Sequence, residues 1–150
     1  MDYLIRYGHY LGFLVLFASL MTAHLLTART IDGRQARKLA RIDAIYGVSA
    51  LVVIITGVLM FCGYGFGKSA ALYLTNGIFH AKVTIFVLIM GLSLMPTLFF
   101  LRHRRAPDDA TITVPRSIIM SQRLQLVLVL VLPLLGLLMA RGLGFRTDAH

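Results

Sequence analysis

Glutamate and tryptophan are absent from this 150-residue sequence, cysteine occurs once, and only 14% of the residues are charged. Each scarcity excludes something. The single Cys62 can form neither a disulfide within the chain nor a cysteine-based metal cluster, and it reads as a small packing residue near a helix end. With no glutamate, and no aspartate between Asp43 and Asp108, the sequence argues against a carboxylate relay carrying protons or cations through a bilayer. An ion-coupled transporter is therefore not expected. A serine–histidine–aspartate order, a phosphate-cradling glycine loop and a cysteine-rich metal spacing are also missing.

What the chain has is apolar surface. Its residues are 58% hydrophobic and its mean hydropathy is +0.81, well outside the range of soluble globular domains. Four apolar runs, 3–26, 43–64, 78–101 and 118–140, each reach the roughly 20 residues that cross a bilayer. The expected fold is thus an all-α integral membrane protein, a four-helix bundle forming a single membrane domain. The first run carries Asp2, Arg6 and His9 at its start and no small-residue cleavage site after it, so it reads as a retained helix rather than a signal peptide. Asp43 is placed to cap the second helix, and "RRAPDDATITVPRS" reads as a polar loop that ends the third. Pro96 and Pro133 fall inside the third and fourth helices, where a membrane tolerates them.

The charge is lopsided, with 15 basic residues against six acidic ones, a net +9. Its placement argues against nucleic acid as a partner. Arg29, Arg34, Arg37, Lys38 and Arg41 occupy the first connection, and Arg102, Arg104, Arg105 and Arg116 the third, whereas the middle connection holds only Lys68. This positive-inside pattern places the first and third connections in the cytoplasm and both termini in the periplasm of a bacterial inner membrane. Tyr3, Tyr7, Tyr10, Tyr64 and Tyr73 then lie near the outer boundary, where amphipathic rings anchor.

Ionisable residues within such runs are costly and tend to mark a site. His9 and His80 stand near the outer ends of two helices running the same way, within roughly 6 Å of each other in depth at 1.5 Å per residue. Imidazoles from separate helices of a bundle are a common way to hold a haem iron. Arg6, Lys68, Lys82 and Arg141 are near enough along the chain to neutralise haem propionates. A second, deeper pair follows from the same spacing. His24 lies 15 residues beyond His9 and Met95 15 beyond His80, which returns each to nearly the same helix face and raises the number of haems from one to two. Lys82 is two residues from His80, about 200° around the helix, so only one of the two faces the interior. The sequence leaves open which one.

The segments "RYGHYLGFL", "RIDAIYGVSALVVIITGVL", "FGKSAALYLTNGIFHAKVTIF", "SLMPTLFFLR" and "LPLLGLLMARGLG" resemble an uncharacterised family of small bacterial predicted membrane proteins. More distantly, "HYLG" and "HAKVTIF" are similar to pieces of the HemJ-type protoporphyrinogen oxidases, and the whole is broadly similar to CopD-like membrane domains. The HemJ resemblance implies haem b, a porphyrinogen-oxidising activity, and functional roles for His9, His80 and Lys82.

The leading expectation is a haem b-binding membrane oxidoreductase or electron-transfer protein linked to quinone. His9 and His80 would be its axial ligands, Lys82 its catalytic residue, and Arg6 and Arg141 would help hold the cofactor. Partners would be the lipid bilayer, quinone, and a second copy of the chain or a redox protein. Two readings from other classes stand beside it. One is a copper-handling protein using His9, His24, His80 and methionines such as Met95, since imidazole and thioether suit copper. The other is a non-catalytic scaffold or assembly subunit whose polar residues serve helix packing.

Overall fold

The computed structural model describes residues 2–63 and 74–144. Four long helices make up almost all of it: α1 (Asp2–Leu26), α2 (Gly33–Phe61), α3 (Gly77–His103) and α4 (Arg116–Ala140). All four are long and apolar enough to cross a membrane. Their outward faces remain apolar, with residues such as Leu51, Ile55, Leu94 and Leu130 exposed. Such a surface is stable against lipid tails rather than water.

α1 packs chiefly along α2, and α3 along α4. Lesser contacts of α2 with α3 and of α1 with α4 close the ring. The α1–α2 approach depends on Gly12, where an ideal Cβ would sit 3.0 Å from Val52 Cγ1 and 3.2 Å from Val53 Cγ2. Hydrogen there in place of a methyl lets the two backbones close up.

Helix 2 begins well before the apolar run that marks it in the sequence. Its N-cap is Asp32, whose carboxylate accepts the Gln35 N–H at 2.6 Å, while Asp43 lies inside the helix about three turns later. The basic stretch 34–41 is thus helical rather than a loop. Its Ala36, Leu39 and Ala40 are buried, while Arg34, Lys38 and Arg41 stay exposed. An amphipathic turn of this kind is invisible to a hydropathy criterion, which responds only to the fully apolar part of the helix.

The "RRAPDDATITVPRS" segment is also more than a loop. A short strand β1 (Thr30–Ile31) pairs antiparallel with β2 (Ile112–Thr113), joining the first and third connections. Ile31, Ile112 and Val114 are buried there with Ala36, Leu39, Phe100 and Ile118 in a small core that seals the basic end. Gly33 is required at this junction, because a Cβ would overlap the Pro107 carbonyl oxygen. A second core lies mid-bundle around Leu16, Leu20, Tyr46, Ala50, Ile89, Val129 and Leu132.

Toward the His9 end this sealing stops. The last buried positions are Gly12 in α1, Val53 in α2, Ile89 in α3 and Leu132 in α4. Beyond them, Asn76 before α3 is the one other fully buried side chain among the described residues. Among the described residues, the buried core thus reaches further toward the basic end than toward the His9 end.

Candidate intramembrane His9–Lys82 site

His9 lies one turn before Gly12, and Thr56 one turn after Val52 on the antiparallel neighbour, so the close approach at Gly12 also brings these two side chains together. His9 Nδ1 is 3.0 Å from Thr56 Oγ1. The threonine hydroxyl donates its own proton to the Val52 carbonyl at 2.6 Å, so its oxygen accepts from His9 and Nδ1 carries the hydrogen. The Val53 carbonyl, also within reach of the imidazole, can only accept and favours the same tautomer. With Nδ1 carrying the hydrogen, Nε2 is the ring nitrogen that keeps its lone pair.

Between His80 and Lys82 the structure turns Lys82 toward the interior. Lys82 is half-buried, and its Nζ lies 3.7 Å from where a Cβ on Gly136 would stand. His80 is exposed on the other face, where Nε2–H donates to the Leu74 carbonyl at 2.8 Å. It closes the start of α3 instead of facing α1. Each helix contributes to the resulting cluster: His9 from α1, Thr56 and Gly57 from α2, Lys82 from α3, and Gly136 from α4. The ideal Cβ of Gly57 would lie 3.6 Å from His9 Cε1, so the two glycines border the two ionisable groups.

Asn76 fixes the height at which Lys82 enters. Fully buried, it caps α3 by accepting from the N–H groups of Ile78 (2.9 Å) and Phe79 (3.2 Å), and it donates to the Leu143 carbonyl at 3.2 Å. The Gly77 N–H adds a bond to the Gly144 carbonyl, tying the start of α3 to the chain just after α4. Gly144 has φ +86°, and a Cβ there would strike Asn76 Oδ1 at 2.7 Å. Glycine meets both demands.

The other expected site residues lie apart from this cluster. His24 is near the opposite end of α1, and Met95 is exposed on the outward face of α3. Arg6 is half-buried one turn before His9, while Arg141 is exposed just past α4. Lys68, Tyr64 and Tyr73 fall outside the described residues. Among the described residues no group of three or more His, Cys, Asp or Glu side chains comes together that could hold a metal ion.

Two features of the interior escape the sequence reading. Thr56 supplies the hydrogen bond that orients His9, yet it sits unremarked in an apolar run, where the only signal is a lone hydroxyl in a helix interior. Nearer the basic end, Asp43 lies on α2 one turn before Tyr46, which donates to Gln125 Oε1 at 3.3 Å. Gln125 donates in turn to Ser121, which donates to the Leu92 carbonyl. Asp43 is thus an acidic side chain within a spanning helix. The i, i+3 pair Asp43/Tyr46 was its sequence trace.

Over residues 1–144 the chain matches the family described as "Predicted membrane protein (DUF2214)". It belongs to that family. No curated protein and no solved structure matches it. Membership agrees with four membrane-spanning helices and covers all of the residues in the His9–Lys82 cluster.

Proposed function

We propose that this family member is a haem b-binding electron-transfer protein or oxidoreductase of the bacterial inner membrane, with His9 as axial ligand through Nε2. The observation that carries the reading is the hydrogen bond between His9 Nδ1 and Thr56 Oγ1. A ligand histidine characteristically has its other ring nitrogen donating to a fixed acceptor, and Thr56 with the Val53 carbonyl supplies one. The cluster lies where the buried core ends and where Gly57 and Gly136 leave no side chain, which suits a flat group entering from that side. Lys82 supplies a cation for a propionate or for a substrate carboxylate.

The haem would provide one-electron redox chemistry. The chain's own part is to orient His9 and to hold the Lys82 charge in the same cluster. With His80 committed to Leu74, the reading assigns one axial histidine and one haem. Quinone, soluble in the same bilayer, is the electron partner we assign, and HemJ-like porphyrinogen oxidation is the corresponding enzymatic form.

Absorption spectra of the detergent-purified protein, oxidised and dithionite-reduced, test this, with haem counted as the pyridine haemochrome. One haem b per chain, lost in His9→Ala and kept in His80→Ala, is expected. A colourless protein that takes up no added haem would remove the proposal and leave the scaffold reading, and stoichiometric copper without porphyrin would replace it with the copper one.

A further inference from the structure

At the basic end, opposite the His9–Lys82 cluster, a cleft of about 370 Å³ opens between the end of α1 and the start of α4. Arg29, Arg116 and Arg123 line it together with His24 and the apolar Leu25, Ile119 and Met120. The fold holds two of the arginines in place. The Arg29 carbonyl accepts the Val114 N–H at 2.8 Å beside the β1–β2 pair, and Arg116 follows Val114 by two residues. Arg123 is two helical turns further along α4, on the same face as Arg116.

These three guanidiniums have no carboxylate partner among the described residues. The ion pairs among the described residues join Asp108 to Arg34 and Arg37, Asp32 caps α2, and neither Asp43 nor Asp109 pairs with any of the three. The start of α4 increases the positive potential, because its first turn holds no acidic residue and no side chain caps it. His24 Nδ1, in the wall of the cleft, is buried without a partner. The apolar part of the lining is open as well, with Leu25 71% and Met120 52% exposed.

We propose that this cleft binds the phosphodiester headgroup of an anionic phospholipid. Planar guanidinium forks match phosphate oxygens, and basic pockets between transmembrane helices are suited to such headgroups. The exposed Leu25 and Met120 beside them fit the start of an acyl chain, which a free anion would leave bare. The lipid would neutralise three like charges held at one point and brace α1 against α4, the weaker of the two contacts that close the ring.

The test is native mass spectrometry of the full chain released from detergent, titrated with phosphatidylglycerol, with phosphatidylcholine, or with inorganic phosphate. We expect retained phosphatidylglycerol and no comparable retention of phosphatidylcholine. Replacing all three arginines (Arg29→Gln, Arg116→Gln, Arg123→Gln) should weaken phosphatidylglycerol binding roughly 100-fold. The exposed single change Arg123→Gln should weaken it several-fold, which keeps the test open should the triple variant misfold. Arg104→Gln with Arg105→Gln, at the same end but outside the cleft, should leave it unchanged. Three results would each overturn the proposal: an equal loss in that control pair, which would mean bulk charge attraction; binding of inorganic phosphate as tight as of the lipid; or no selective retention at all.

Discussion

His9 and His80 have the same side chain and nearly the same depth, yet the hydrogen bonds around them give them opposite roles. His9 donates through Nδ1 and keeps Nε2 open, whereas His80 spends Nε2 on the Leu74 carbonyl. Thr56→Val removes the hydroxyl acceptor from His9 and should lower cofactor affinity about 10–100-fold, read as haem retained through purification. His80→Ala should leave the spectrum unchanged. Asn76→Ala removes a helix cap and leaves the Leu143 carbonyl without its donor; a loss of about 2 kcal/mol is expected, measured as lowered thermal stability in detergent. The identities of His9 and Lys82 as candidates were legible from the cost of ionisable groups in apolar runs. Which of His80 and Lys82 faces inward was not, because a 200° separation says that they diverge and leaves the rotation of the helix to its packing against α4.

At the scale of elements, the spans were legible because hydropathy reports the bilayer directly. α1, α3 and α4 begin and end within about two residues of their apolar runs. α2 does not, because its first two and a half turns carry Arg34, Arg37, Lys38 and Arg41 on a helix whose other face is buried by tertiary contact with the third connection. The β1–β2 pair was hidden for the same reason, since two-residue strands have no periodicity to detect. Gly33→Ala should undock that connection, with an expected cost of roughly 1–3 kcal/mol seen as faster proteolysis between 104 and 115.

The same connection carries a pH dependence. Arg37, by hydrogen bond and charge, holds the exposed Asp108 carboxyl below its usual range, with Arg34 assisting. A folded-state value below the unfolded one means that the stabilisation is complete above the ordinary carboxylate value of about 3.9 and is lost as pH falls below it. Hydrogen exchange in the 104–115 segment should therefore rise below about pH 4 and with added salt, and Asp108→Asn should abolish both responses.

For the whole molecule, the decisive feature is the contrast between its ends. At the basic end a hydrophobic core, a strand pair and the Arg37–Asp108 contact join the first and third connections. At the other end the buried core stops at Gly12, Val53, Ile89 and Leu132, and beyond it the four helices bring His9, Thr56, Lys82 and two glycines together. A protein needing only to pack would be expected to place apolar side chains at these positions, given the cost of a lysine and a histidine there. The most direct measurement is the reduced-minus-oxidised spectrum of the purified wild type beside His9→Ala. The account predicts a haem b α-band in the wild type that His9→Ala loses. A wild type that stays colourless after haem is supplied, or a band unchanged by His9→Ala, would contradict it.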